Sequence, residues 1–214
     1  MSTRPSKIIC IGRSYAEHAR ELGNEIPDRP VLFIKPPSSL IGLEQGIEWN
    51  SQLGGCHYEC ELVLKVGKAL KNETDPLKAL EAISAVTIGL DLTLRDLQTE
   101  LKNKGQPWER SKAFDGACVL SDWVDVSEIK DWDQTTYRFY INGELRQQGD
   151  TAYLLMSLGE YLCDISQAFT IEAGDVVMTG TPAGVGELHY GDQLKMQLDG
   201  LTQEYTWETF VKNK

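Results

Sequence analysis

Three absences narrow the field. The chain has no Cys-x-x-Cys pair, no apolar run approaching the length of a membrane span, and no surplus of positive charge. The first fits thiols that stay reduced, and the second argues against an integral membrane protein. The third leaves a formal net charge of -11 and a pI of about 4.8, which disfavours binding to a nucleic-acid backbone. A small anionic substrate would need a cation or a local basic pocket to overcome that field. Repeats, low-complexity tracts and an interdomain linker are also missing. One domain over residues 1–214 is therefore expected, with 1–50 as a lead-in segment. The apolar run Ile8–Ile11 is too short for a secretory leader. The cysteines, Cys10, Cys56, Cys60, Cys118 and Cys163, are odd in number, so reduced thiols and a cytoplasmic location are expected.

What is present begins with His57-Tyr58-Glu59-Cys60-Glu61-Leu62-Val63-Leu64-Lys65-Val66. This stretch reads as a strand closed by Gly67. Alternation puts His57, Glu59 and Glu61 on one face and Tyr58, Cys60 and Leu62 on the other. Adjacent carboxylates on one face repel unless solvent, a proton or a cation intervenes, and a hard divalent cation takes oxygen ligands. Two glutamates are also the ordinary wet side of a sheet. Zinc held by Cys56, His57 and Cys60 is disfavoured, since a strand turns both thiols away from the imidazole. A second signal is Asp91 in the apolar run 85–92, where a buried acid is costly unless paired or liganded.

Around these lie further candidates. A helix is expected over 14–23, with Ser14 as N-cap and Gly23 as stop. On it His18 and Glu21 are three apart and share a face, either as a plain surface pair or as a carboxylate-supported base. Short strands are read at 7–12, 31–35, 85–92 and 174–180, with a loop over 38–56. Helices are read at 75–84, 93–104 (carrying Arg95, Asp96 and Gln98) and 151–169, the last with Leu154, Leu155, Leu158, Leu162 and Ile165 on its core stripe. Lys112 falls in a loop-like stretch. Asn142-Gly143 marks a hairpin over 136–147, and strands over 194–207 close the chain. Thr181 to Gly186 forms a glycine-rich loop whose N–H groups suit an anion.

Taken in order, these pieces resemble the fumarylacetoacetate hydrolase family, in particular its short acylpyruvase branch. The carriers are Gly12-Arg13-Ser14-Tyr15 with His18 and Glu21, Phe33-Ile34-Lys35-Pro36, and His57-x-Glu59-x-Glu61-Leu62. They continue with Leu90-Asp91-Leu92-Thr93-Leu94-Arg95-Asp96-Leu97-Gln98, Gln106-Pro107-Trp108 with Lys112, Asn142-Gly143-Glu144, and Thr179-Gly180-Thr181-Pro182-x-Gly184-Val185-Gly186. The resemblance implies an α+β fold, a mixed β-roll with a few flanking helices, and a homodimer. It implies that Glu59, Glu61 and Asp91 bind Mg²⁺ or Mn²⁺, and that His18 and Glu21 form a base dyad on a lid helix within 14–23. Lys112, Gln98 and Thr181 would line the substrate pocket. The implied reaction is hydrolysis of the C3–C4 bond of an acylpyruvate, a small anionic keto acid, with water activated by His18 and the oxyanion met by Lys112. The same arrangement serves oxaloacetate decarboxylation, oxaloacetate keto–enol tautomerisation, or a decarboxylase–isomerase of aromatic catabolism. A non-catalytic protein that binds metal chelates is the remote alternative.

Overall fold

Short aliphatic runs closed by glycine or proline become the strands. The computed structural model describes residues 4–23 and 25–213. In chain order, β1 (Ile8–Gly12) is followed by α1 (Ala16–Glu21), β2 (Val31–Lys35), β3 (Leu40–Gly42), β4 (Cys56–Tyr58) and β5 (Cys60–Val66). Next come α2 (Pro76–Leu80), β6 (Ile83–Asp91), β7 (Thr93–Leu94), α3 (Arg95–Asn103), α4 (Glu109–Lys112), β8 (Cys118–Leu120) and β9 (Val124–Asp125). The chain ends with β10 (Thr136–Ile141), β11 (Glu144–Asp150), α5 (Leu158–Ala168), β12 (Val176–Met178), β13 (Gly186–Glu187), β14 (Gln193–Asp199) and β15 (Tyr205–Phe210).

The largest sheet runs β2-β1-β12-β5-β6-β8-β3, with β9 also on β6. A second sheet runs β11-β10-β14-β15, and a third, small one runs β13-β4-β7. The inner face of the second sheet (Tyr137, Phe139, Ile141, Leu194, Met196, Leu198) joins Leu62, Leu64, Ile88 and Leu90 of the first in one core. This is the expected α+β mixed β-roll. A smaller cluster, Ile8, Cys10, Val63, Cys118, Val176 and Met178, covers the other face of the large sheet. No helix among the described residues is long and apolar enough to cross a membrane.

Several expected boundaries move, each for a local reason. The strand expected over 57–66 is broken at Glu59, where the chain passes from the small sheet to the large one. The 38–56 loop contains β3, which pairs parallel to β8. Ser14 does not cap α1: the N-cap is Tyr15, and Ser14 is buried with an unpartnered Oγ. The helix expected over 151–169 starts only at Leu158, because Ser157 and Glu160 form a capping box there. Asp150 instead caps a single 3₁₀ turn, and Leu155 is exposed rather than on the core stripe. The helices expected at 75–84 and 93–104 are shorter, since strands β6 and β7 claim their flanks. The hairpin turn is as read, with Asn142 at φ 51° and Gly143 at φ 85°.

Candidate functional site

The metal-type acids are assembled by strand pairing. Glu59 and Glu61 lie two apart where the chain enters β5. In the β5–β6 register Cys60 faces Leu90, and the Asp91 N–H donates to the Glu59 carbonyl at 2.8 Å. Side chains directly opposite across an antiparallel pair share a face, so Asp91 joins the two glutamates. All three are buried, which removes the wet-face reading. One oxygen from each lies within 4.8 Å of the others. No other such cluster of acids, histidines and cysteines occurs among the described residues.

Three cations reach into this cluster. Lys112 Nζ donates to Glu59 Oε2 at 2.8 Å and to Asp91 Oδ2 at 2.7 Å. Arg95 pairs with Glu59 and donates to Gln98 Oε1 at 2.7 Å. Lys35, fully buried, lies 2.7 Å from Asp91 Oδ1 and donates to the carbonyls of Leu92 and Lys112. Glu61 is the odd one out. It accepts one bond, from the Gly180 N–H at 2.8 Å, and pairs with no cation among the described residues. The ionisation of the acids diverges accordingly. Burial alone would raise Glu59, but Lys112, Arg95 and His18 outweigh it and hold the carboxyl well below its usual range. Burial, then the Asp91 and Glu59 charges, push Glu61 well above. For Lys112 burial is likewise outweighed, by Asp91 and Glu59, and the ammonium is held above its ordinary value.

The donor set fits a hard divalent cation. It consists only of carboxylate oxygens, and Glu61 lacks a positive partner that such an ion would supply. Three such ligands leave about half of an octahedral shell for other oxygens.

The dyad stands beside the acids. His18 Nδ1 lies 3.2 Å from Glu21 Oε2, and His18 lines the same cavity as the acids. Glu21 is held from behind, accepting from the Gly184 N–H at 3.0 Å. One amide of the glycine-rich loop, that of Gly184, therefore meets an anion, the protein's own Glu21, while Glu61 is held by Gly180 just before the loop. Gly180, at φ +93°, has no room for a Cβ beside Ser14 and the Ile11 carbonyl.

The structure brings Gln98, Lys112 and Thr181 to the same cavity and leaves His57 out of it. Gln98 and Lys112 line the cavity, but Lys112 ends helix α4 rather than sitting in a loop. Thr181 lines it too, yet its hydroxyl donates to the Cys60 carbonyl at 2.9 Å. His57, read on the same face as the glutamates, pairs across to Thr93 and Glu187 in the small sheet and does not line the cavity. Burial, then the Arg95 charge, lower its pKa. Sequence reading assigned no role to Lys35, Arg95 or Gln147. Lys35 carried a signal, a lone cation ending an apolar strand, the counterpart of Asp91. Gln147 carried none. Its Oε1 accepts from the Cys60 N–H at 2.9 Å, and its Nε2 donates to Thr181 Oγ1 at 2.8 Å and to the Pro182 carbonyl at 2.9 Å.

Leu22, Phe33 and Trp108 supply the apolar part of the cavity wall. With Lys112 and Arg95 turned onto the acids, about 40 Å³ of free space remains. That is room for a few waters.

Known proteins agree with this architecture. The chain is 44% identical over 196 residues to the oxaloacetate tautomerase YcgM of Escherichia coli K12, covering 91% of this chain and 89% of that one. It is 35% identical to the mitochondrial oxaloacetate decarboxylase of Dictyostelium discoideum over 209 residues, 97% and 95% of the two chains. Among solved structures, the fumarylpyruvate hydrolase of Pseudomonas aeruginosa, in complex with Mn²⁺ and pyruvate, superposes with a TM-score of 0.88. It shares 33% identity and covers 97% of this chain and 90% of that one. The model of the fumarylacetoacetate (FAA) hydrolase C-terminal domain matches residues 7–205, from the edge of β1 into β15. On that span, and on a core and sheet order built through all of it, the protein belongs to the fumarylacetoacetate hydrolase family.

Proposed function

We propose that the protein is a divalent-metal-dependent enzyme of 2-oxo acids, using Mg²⁺ or Mn²⁺, and that its reaction is the keto–enol tautomerisation of oxaloacetate. The observation that carries this is the juxtaposition of His18–Glu21 with three buried acids on one cavity. Glu59, Glu61 and Asp91 would hold the ion, which would supply a Lewis acid for the oxo-acid end of the substrate and so make the C3 hydrogens more acidic. The chain's own groups then move the proton. Glu21 fixes the imidazole through Nδ1, leaving Nε2 to accept from C3. A proton leaves C3 and one arrives at the C2 oxygen, so no covalent bond between heavy atoms breaks and no water is consumed. Lys112 places a positive charge in the same cavity to meet charge developing on that oxygen. Leu22, Phe33 and Trp108 keep solvent from the carbanion-like centre.

Acylpyruvate hydrolysis, the first expectation from sequence, is the second reading. The likeness to the fumarylpyruvate hydrolase favours it, with the same dyad activating water instead of C3. The higher identity to the oxaloacetate tautomerase, 44% against 33%, sets the order.

The test is a side-by-side assay of enol oxaloacetate, acetylpyruvate and fumarylpyruvate with each metal. Loss of the enol absorbance should outpace buffer catalysis and stop on chelation. His18→Ala should keep its affinity for Mn²⁺ and lose about 10²-fold or more in rate, as removal of a general base does. Faster release of pyruvate from an acylpyruvate than loss of the enol reverses the order of the two readings. Undiminished tautomerisation by His18→Ala removes the dyad from the reaction.

A further inference from the structure

The cavity lining extends past the acids and the dyad to two further cations, Arg13 and Lys102. Helix α3 sets the spacing. Arg95, Gln98 and Lys102 follow at positions i, i+3 and i+7, one stripe of the helix, and all three line the cavity. Arg95 reaches Glu59. Lys102 starts from backbone two turns further on, about 10 Å along the axis.

Arg13 meets Lys102 from the other side, at the end of β1. Its backbone lies at φ +59°, in the left-handed region. A side chain other than glycine is disfavoured there, and such positions gather at ligand sites. The half-buried Arg13 side chain makes no hydrogen bond or ion pair with any described residue. Lys35, Arg95 and Lys112, by contrast, each have a carboxylate. Burial, then the Arg13 and Arg95 charges, lower the pKa of Lys102. A guanidinium without an acid, beside an ammonium that it repels, sets positive charge on this wall of the cavity in a chain of net charge -11. It answers the need for a local basic pocket that the overall charge creates.

We propose that Arg13 and Lys102 form a second carboxylate subsite that selects 2-oxo dicarboxylates over 2-oxo monocarboxylates. The proposal rests on the oxo-acid reading above. It places the chelating end of the substrate at Glu59, Glu61 and Asp91 and its far carboxylate on the Arg13 guanidinium, whose fork suits a bidentate partner.

The experiment is calorimetric binding of malate and lactate to the Mn²⁺-loaded protein. Both are inert 2-hydroxy acids with the same chelating end, and only malate has the second carboxylate. The wild type should bind malate about tenfold or more tighter than lactate, the scale of a charge-assisted pair. Arg13→Gln and Lys102→Gln should each remove most of that preference and leave lactate affinity within about twofold. Arg13→Lys should restore part of it. Arg13→Gly suits the left-handed backbone and removes the charge without the strain. It should behave as Arg13→Gln does, so that a poorly folding glutamine variant does not decide the matter. Equal affinities for the two acids in the wild type, or equal weakening of both in the variants, overturns the subsite. A malate preference in a protein that does not turn over oxaloacetate would leave the subsite standing and remove the tautomerase reading. Turnover without the preference does the reverse.

Discussion

Glu61 is a fully enclosed carboxylate held by a single amide, with Asp91 and Glu59 as neighbours. A charge in that position strains the metal-free fold and becomes useful only with a cation beside it. Glu61→Gln should therefore lose tenfold or more in Mn²⁺ affinity, about 1.4 kcal/mol or more, yet melt no lower than the wild type without metal. Calorimetric titration and thermal denaturation in chelator read the two effects separately. A metal-free melting point well below wild type would mean that Glu61 is a structural acid. The residues that could be read from the sequence were those out of character with their surroundings. Asp91 inside an apolar strand is one, and two acids at strand spacing are another. Lys35 was out of character in the same way and received no role, although it neutralises Asp91. Arg13 was quoted within a motif, but its left-handed backbone is invisible in one dimension.

At the scale of elements, the site depends on supports that look ordinary in sequence. Gln147 sits in a hairpin strand of alternating exposure, where a polar residue reads as the solvent side, and it is in fact buried. It clamps the peptide between the two glutamates to the loop that follows β12. Gln147→Leu would leave the Cys60 N–H unpaired at a cost of about 1–3 kcal/mol. It should lower the melting temperature and, by loosening both glutamates, weaken Mn²⁺ binding. Unchanged metal affinity in that variant would make the clamp merely structural. Helix limits were legible where caps are written in short motifs, as at Asp75-Pro76, and misread where a long apolar stripe masked the Ser157–Glu160 box. The junction of β1 and β12 supplies a pH-dependent term. Asp175 accepts from the N–H groups of Ser6, Lys7 and Glu172 and from the Ser6 hydroxyl, and it pairs with Lys7 at 2.6 Å. Burial would raise its pKa, but Lys7, Ser6 and the Glu172 amide outweigh that and lower it below 3.8. A depressed acid stabilises the fold fully above its unfolded value and ceases to do so as pH falls through the folded one. Wild type should exceed Asp175→Asn by about 1.5–3 kcal/mol near neutrality. That gap should close as unfolding titrations are taken below pH of about 4. A gap that persists in acid would show that packing, not charge, holds the junction.

Across the whole molecule, the order of strands in the large sheet differs greatly from their order in the chain. Ile8 pairs with Val176, and β12 lies between β1 and β5. Alternation and turn signals identified most strands and the α+β class, but a single chain offers no local sign of which distant strands will pair. Folding dominated by such distant pairings is slow, because loop closure precedes the contacts that reward it. A chain ending at residue 170 should show no cooperative unfolding transition by circular dichroism, since β1 would lack β12 and β10 would lack β14. A sharp transition in that fragment would show that residues 1–170 fold alone. Biosynthesis feels the same arrangement. Glu59, Glu61 and Asp91 leave the ribosome early, but the amides of Gly180 and Gly184 that hold Glu61 and Glu21 come more than a hundred residues after the glutamates they hold. A nascent or prematurely terminated product that stops before Gly180 therefore carries the acidic ligands without the scaffold that aims them, and competence arises only once Gly184 has been made.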